Sequence, residues 1–184
     1  MPHDIIFSGF GGQGALFAGQ LLAYAAMDAG KHVTWIPSYG PEMRGGTAHC
    51  VVIVSDEEIG SPLVRNPSNV VALNNPSVEK YEPLLAANGN LIYNSSLTSH
   101  IITRHNIYAI PVPASDIAAE LGHAKLLNMI MLGALIDRAQ VLPVEAIDHA
   151  LDNHIPAHRR ELLELNKLAL RRGIEIARAV LVPA

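Results

Sequence analysis

The sequence predicts an α/β protein: one domain with a mostly parallel β-sheet flanked by helices and a C-terminal helical segment. Strand-like apolar segments alternate with helix-like segments along the chain, as is typical of parallel sheets. Residues 9–14 are rich in glycine, follow an apolar run and open a helical stretch. The chain has 184 residues, 49% of them hydrophobic, which suits a single domain with a substantial core. Within residues 1–184 we expect an α/β core over residues 1–122 and a helical portion over residues 123–184 packed on it.

The predicted elements follow from hydrophobic pattern and turn chemistry. Six apolar, largely β-branched segments are expected to be strands, at residues 4–8, 32–36, 48–54, 69–73, 91–94 and 107–111. Six segments with helical composition or apolar periodicity are expected to be helices, at residues 15–29, 78–87, 115–121, 125–139, 143–151 and 158–180. Gly30 and Gly122 suit the residue that follows a helix. Asn75 or Ser77 is expected to cap the second helix.

Composition excludes several classes of function. The net charge of −4 gives no electrostatic basis for binding nucleic acid or an anionic membrane surface. Cys50 is the only cysteine, so this chain alone forms no disulfide and holds no iron–sulfur cluster. The first residues lack the pattern of a basic region followed by an apolar segment, no apolar run reaches membrane-spanning length, and we expect a reducing cytoplasmic setting. The nine histidines are scattered and make no convincing zinc set.

The glycine turn of residues 9–14 is the main candidate ligand site. Glycines let the backbone approach a ligand closely, and the helix start presents free N–H groups and a partial positive charge, which suits a phosphate. The alternative is a tight turn that serves only the fold. A nicotinamide site would need an acidic residue after the second strand, but that strand ends in Pro37 and Ser38. A different phosphate-bearing ligand is therefore favoured.

Other polar residues have both a binding and a structural interpretation. Arg44 lies beside two glycines and can either bind a phosphate or carboxylate or be a solvated side chain. Asn128 interrupts an apolar helix and is expected either to bond a neighbouring backbone group or to face a ligand. Asn74 lies at a strand end and has helix capping as the alternative. Cys50 and His49 point to opposite faces of a strand, so they form no nucleophilic pair, and Cys50 is expected to be buried.

The chain resembles the gamma subunit of the 2-oxoacid:ferredoxin (acceptor) oxidoreductases, most closely the 2-oxoglutarate type. The resemblance runs in order through nearly the whole chain, and its segments are residues 9–14, 38–48, 72–76, 91–96 and 128–133. The second segment, Ser-Tyr-Gly-Pro-Glu-Met-Arg-Gly-Gly-Thr-Ala, is the most specific of them. We expect the chain to fold as a single Rossmann-like domain.

The resemblance implies a complex that oxidatively decarboxylates a 2-oxoacid to an acyl-CoA and passes electrons to ferredoxin or another acceptor. Alpha and beta subunits and a ferredoxin-like subunit would be the partners. Thiamine diphosphate and iron–sulfur clusters would lie on those partners, and this chain would be non-catalytic by itself. It would help to bind coenzyme A through Gly11, Gly12, Gln13, Gly14, Arg44 and Asn128, with Asn74 and Asn94 as weaker candidates.

Several alternatives to this interpretation remain open at the level of sequence. One is a purely structural or assembly subunit of the same complex, and another is the pyruvate or branched-chain 2-oxoacid version of it. A third, an independent nicotinamide-dependent reductase, is disfavoured by the missing ribose carboxylate. A homodimer is a possible state of the isolated chain.

Overall fold

The computed structural model describes residues 2–38, 47–155 and 157–180, without the side chains of residues 157–159. Its strands are β1 (His3–Phe10), β2 (His32–Ser38), β3 (Thr47–Ser55), β4 (Asn69–Ala72), β5 (Asn90–Asn94) and β6 (Tyr108–Val112). They form one six-stranded sheet in the order β2-β3-β1-β4-β5-β6. β1, β4, β5 and β6 pair in parallel. The predicted mostly parallel sheet is therefore confirmed.

β3 is the strand that runs against the others. It pairs antiparallel with both β1 and β2, so it lies between the two strands that α1 (Ala15–Asp28) connects. At the ends of the undescribed segment 39–46, Ser38 pairs with His49 and Thr47 pairs with Phe10. Apolar alternation predicts that a segment is a strand but carries no information on its direction. This insertion was therefore not anticipated from the sequence.

The remaining helices are α2 (Asn75–Tyr81), α3 (Ala114–Glu120), α4 (Leu127–Ala139), α5 (Val144–His154) and α6 (Leu163–Ala179). Short 3₁₀ turns lie at Glu82–Leu84, Ser95–Leu97, Ala124–Leu126 and Ala157–Leu162. Two predicted helices therefore begin later than expected, because residues 125 and 126 and the stretch before Leu163 are 3₁₀ rather than α. The six predicted helices are present, with shifted ends.

The second helix differs most from its prediction. The residue that caps it is Asn74, whose side-chain oxygen accepts a hydrogen bond from the Ser77 backbone N–H at 3.0 Å. The prediction of Asn75 or Ser77 as the cap was wrong. The α-helix also ends at Tyr81 instead of continuing to residue 87, because Pro83 has no backbone N–H to continue the helical ladder.

The sheet buries its two faces against different layers. Ile5 and Phe7 point into the main core with α1 and α4, whereas Ile6, between them, packs on the other face against Val78 of α2. The main core also includes Leu170 of α6, so it takes in residues from both predicted portions of the chain. The assignment of residues 1–184 to one domain stays a prediction.

Candidate functional site

The glycine turn begins with the last two residues of β1 and ends at Gly14, directly before α1, and the side chain of Gln13 holds it in place. The Gln13 Oε1 atom accepts hydrogen bonds from the Phe10 backbone N–H at 2.7 Å and from Asn74 Nδ2 at 3.2 Å. Its Nε2 donates to the Leu73 carbonyl at 3.2 Å. The Gln13 backbone N–H donates to the Phe10 carbonyl at 3.1 Å. Gln13 therefore fastens the turn to the end of β4.

Backbone conformation and close packing explain three of the four glycines in this turn. Gly12 and Gly14 have φ values of 91° and 83°, which side chains rarely tolerate. A Cβ atom on Gly14 would also lie 2.3 Å from Asn128 Nδ2, and one on Gly9 would lie 2.8 Å from Gln13 Oε1. Gly11 is different: its φ is not positive, and an added Cβ would meet no atom within 4 Å.

The start of α1 leaves its backbone donors available. Gly14 is the N-cap residue and offers no side-chain cap, and the first turn of the helix contains no acidic residue. Within the described ranges, no hydrogen bond uses the backbone N–H groups of Gly11, Gly12 or Gly14. Free N–H groups and the positive end of the helix dipole together favour an anion at this position.

A cavity of about 490 Å³ opens on the turn. Its wall includes residues 10–17 together with side chains from the 3₁₀ turn Ala124–Leu126, from α4 and from the segment that precedes α6. The larger apolar side chains in this wall are Phe10, Leu16, Phe17, Leu126, Ile155 and Leu162. The polar side chains are Gln13, His123, Lys125, Asn128 and Asn166. No acidic residue lines the described part of the wall.

Asn128 joins α4 to the turn. It is 6% exposed, and its Nδ2 donates to the Gly14 carbonyl at 3.3 Å. It also lines the cavity. The two sequence interpretations of Asn128, a bond to neighbouring backbone and a position beside a ligand cavity, are therefore compatible with each other.

Lys125 and His123 were not identified from the sequence. Both line the cavity, and the Nδ1 atom of His123 is buried without a hydrogen-bond partner in the described structure. The available signal was weak: both residues follow Gly122, where one predicted helix ends shortly before the next begins. Only the packing of α4 beside α1 places them near the glycine turn.

The comparison with protein families decides what kind of chain this is. Residues 4–176 match the model of the family described as pyruvate ferredoxin/flavodoxin oxidoreductase. The chain belongs to this family. The resemblance inferred from the sequence motifs is thus confirmed.

Relatives within the pyruvate ferredoxin/flavodoxin oxidoreductase family carry several names. Ketoisovalerate oxidoreductase subunit VorA of Methanothermobacter thermautotrophicus is 38% identical over 172 residues, which are 93% of this chain and 35% of that protein. 2-Oxoglutarate synthase subunit KorC of Methanothermobacter marburgensis is 34% identical over 183 residues, covering 96% of this chain and 97% of KorC. The chain thus spans about a third of the VorA relative but nearly the whole of KorC.

Two solved structures share the fold of this chain. The gamma subunit of a keto/oxoacid ferredoxin oxidoreductase from Geobacter sulfurreducens has a TM-score of 0.84 and 30% identity, with 97% of this chain and 99% of that chain covered. A 2-oxoglutarate:ferredoxin oxidoreductase from Magnetococcus marinus, solved with 2-oxoglutarate, coenzyme A and succinyl-CoA bound, has a TM-score of 0.88 at 23% identity. This match covers 99% of this chain and 32% of the Magnetococcus marinus chain, and at this identity it shows a shared fold only.

The other candidate residues are not among those that line the described part of the cavity. Arg44 lies outside the described residues. Asn74 is 1% exposed and caps α2, while Asn94 is fully buried and bonds the Leu73 carbonyl at 3.2 Å and Ser115 Oγ at 2.9 Å. Neither asparagine lines the cavity. Both therefore fasten strand ends in this structure.

Cys50 has the buried environment that was expected. It is 0% exposed, and burial raises the pKa of its thiol to about 12. His49, on the opposite face of β3, has its ring centroid 6.1 Å from that of Tyr81. Among the described residues, no group of three or more His, Cys, Asp or Glu side chains is placed to hold a metal ion. No helix in the same ranges is both long and apolar enough to cross a bilayer.

Proposed function

We propose that this chain is the non-thiamine-binding subunit of a 2-oxoacid:ferredoxin (or other acceptor) oxidoreductase and that it contributes to the binding of coenzyme A. Membership of the family and the match to nearly the whole of KorC support the subunit role. In this proposal thiamine diphosphate and iron–sulfur clusters belong to alpha, beta and ferredoxin-like partners. A single buried thiol whose pKa is raised to about 12 suits that division, because a thiolate is the form that ligates iron. We also propose a cytoplasmic location.

The observation that carries the coenzyme A proposal is the environment of Gly11. The fold gives no reason for glycine at this position, since a Cβ would meet nothing and φ is not positive. A glycine that lines a cavity beside free N–H groups is explained if a ligand approaches the backbone there. A phosphate group fits these donors, because the described wall contains no carboxylate that would repel it.

The proposed division of roles differs among the residues around the turn. The N–H groups of Gly11, Gly12 and Gly14 would bind the phosphate, and Gln13 would hold the turn in shape through its own side-chain bonds. Asn128 would position Gly14 and face the ligand. Arg44 stays a proposed phosphate ligand, supported by its place in the sequence three residues before Thr47, which pairs with Phe10 at the turn.

The 2-oxoacid is proposed to be 2-oxoglutarate, supported by the KorC relative, which matches this chain along nearly its full length. The higher identity of the ketoisovalerate subunit VorA supports a branched-chain 2-oxoacid as the competing assignment. A substrate series on the assembled complex separates them: the ratio of kcat/KM for 2-oxoglutarate and 2-oxoisovalerate names the substrate.

The test of coenzyme A binding uses Gly11→Ala in the complex assembled with its partner chains. The added methyl group has room in the folded chain, so thermal stability and subunit recovery should match the wild type. The KM for coenzyme A should rise at least about tenfold because the methyl group displaces a phosphate from the backbone, while the KM for the 2-oxoacid stays the same. Gly60→Ala, at another open glycine without positive φ, is the matched control.

A second candidate function, a subunit that serves only assembly, is favoured by one observation. Phe10, beside the turn, exposes 42% of its surface, so a partner chain that covered the turn would also bury this aromatic side chain. In that case Gly11→Ala would reduce recovery of the partner chains, and the KM for coenzyme A of the complex that does form would be unchanged.

A further inference from the structure

Lys125 stands apart from the other lysines of the chain. The sequence has four of them: Lys31 pairs with Asp56, Lys167 pairs with Asp152, and Lys80 lies 5.1 Å from the ring centroid of Tyr81. Lys125 is exposed and makes no ion pair, hydrogen bond or ring contact within the described residues. Its ammonium group therefore has three donors and a full charge available for a ligand.

The charge of Lys125 also stands apart within the cavity. Among the described wall residues it is the only side chain with a permanent charge, and the wall has no carboxylate to neutralise it. The backbone donors at the start of α1 contribute further positive potential to the same cavity. The electrostatics of the described wall therefore favour an anion at two places, one on the backbone and one on a side chain.

His123 adds a second side-chain donor or acceptor. Its residue is half-buried, its Nδ1 atom is buried, and no described group satisfies that atom. A buried polar atom without a partner is costly. Because Nδ1 is buried, a ligand in the cavity becomes its partner only when the imidazole ring turns toward the wall that His123 and Lys125 both line.

We propose that Lys125, with His123 as the second contact, binds a phosphate group of coenzyme A in the cavity that the glycine turn also lines. This inference rests on the proposed function. It assigns Lys125 a binding role, not a catalytic one. The site would then bind the nucleotide end of coenzyme A through a side-chain charge as well as through backbone N–H groups. The phosphate is either the 3′-phosphate or part of the diphosphate, and ligand analogues separate the two.

The experiment measures dissociation constants of coenzyme A and dephospho-coenzyme A on the assembled complex carrying Lys125→Ala, Lys125→Arg or wild-type chain. Loss of a charged hydrogen-bonding partner should weaken coenzyme A binding by about tenfold to a hundredfold and reduce its dependence on salt concentration. Lys125→Arg keeps the positive charge and should retain most of the affinity. If Lys125 had only a structural role, the affinity would not follow the charge at this position. His123→Ala should weaken binding by a smaller factor. Lys80→Ala, a substitution of another exposed lysine, is the control and should leave affinity unchanged.

The two ligands identify the phosphate. A loss with coenzyme A but not with dephospho-coenzyme A assigns Lys125 to the 3′-phosphate, and an equal loss with both assigns it to the diphosphate. Unchanged affinity for coenzyme A in Lys125→Ala overturns the inference. If Lys125→Ala has no effect but Gly11→Ala weakens coenzyme A binding, the proposed function stands and only the role of Lys125 is refuted. If neither substitution has an effect, both proposals fail.

Discussion

The side-chain nitrogen of Asn128 donates a hydrogen bond to the carbonyl of Gly14 at 3.3 Å, across 114 positions of sequence. Gly14 has to be glycine for two reasons at once, its φ of 83° and its close approach to Asn128. The bond thus ties the start of α1 to the start of α4 beside the candidate site. It makes the geometry of the turn depend on a helix that lies far away in the chain.

Asn128→Asp removes the donor of this bond while it keeps the size of the side chain. A carboxylate would face the Gly14 carbonyl and would add negative charge beside the proposed phosphate. We expect the unfolding free energy to fall by about 1–3 kcal/mol and the affinity for coenzyme A to fall at least about tenfold. Urea unfolding of the chain and ligand titration of the complex measure the two effects. Asn153→Asp, on the exposed side of α5, is the control, and equal behaviour of the two variants would contradict the role of Asn128.

Gly133 of α4 and Gly173 of α6 allow these helices to touch through their backbones. A Cβ on Gly133 would lie 2.0 Å from the Leu170 carbonyl oxygen, and one on Gly173 would lie 1.8 Å from the Ile130 carbonyl oxygen. Neither backbone can yield cheaply, so Gly133→Ala and Gly173→Ala should each lower the unfolding free energy by about 1–3 kcal/mol or more. Thermal unfolding measures this change. Gly60→Ala, which has open space, should leave the melting temperature within error of the wild type, and an equally small shift at Gly173 would refute the close crossing.

Glu82 anchors the irregular chain between β5 and β6. Its Oε1 accepts from the backbone N–H groups of Thr103 at 2.7 Å and Arg104 at 2.9 Å, and its Oε2 lies 2.5 Å from His100 Nε2. Burial raises the pKa of this carboxyl, but hydrogen bonds from Arg104, His100 and Thr103 outweigh that effect and hold the pKa below its ordinary value. A depressed native pKa contributes stability above the ordinary glutamate range, and this contribution is lost as the pH falls through the lowered value.

The stability profile of Glu82→Gln tests this contribution. The variant should be less stable than wild type by about 1–3 kcal/mol at pH 7 because the charged hydrogen bonds are lost. The difference should shrink as the pH falls from the ordinary glutamate range to the lowered native pKa, because the unfolded wild-type chain takes up its proton first and the folded chain follows. Urea unfolding from pH 7 down to pH 3 measures both. Glu58→Gln, on an exposed turn, should follow the wild-type profile, and a pH-independent difference for Glu82→Gln would contradict the assignment.

Cys50 should be chemically inert in the folded chain. Its Sγ lies 3.7 Å from the Ala15 carbonyl oxygen beneath α1, and burial raises its pKa to about 12. Since the thiolate is the reactive form, iodoacetamide at pH 8 should leave the folded chain unmodified and should alkylate it fully in urea. Mass spectrometry distinguishes the two states. Equal rates with and without urea would show that the thiol is accessible.

Much of the site was predictable because its backbone chemistry is local. Gly9 to Gly14 follow a strand and open a helix, and these features lie within a short run of sequence. The same holds for burial of Cys50, which follows from its place in an apolar strand. The cap of α2 was assigned to the wrong neighbour, because Asn74, Asn75 and Ser77 are all good capping residues and only the backbone path distinguishes them.

The sequence by itself determined the types of the elements, the family, and the glycine turn as the candidate site, because each depends on side-chain pattern over short distances. Only the tertiary structure decided that β3 lies antiparallel between β1 and β2 and that the side chain of Gln13 holds the turn through hydrogen bonds. It also decided that Lys125 and His123 line the same cavity as Gly11. These relationships depend on contacts between distant segments. Such contacts are set by how helices and strands pack as whole surfaces, and no local pattern encodes them.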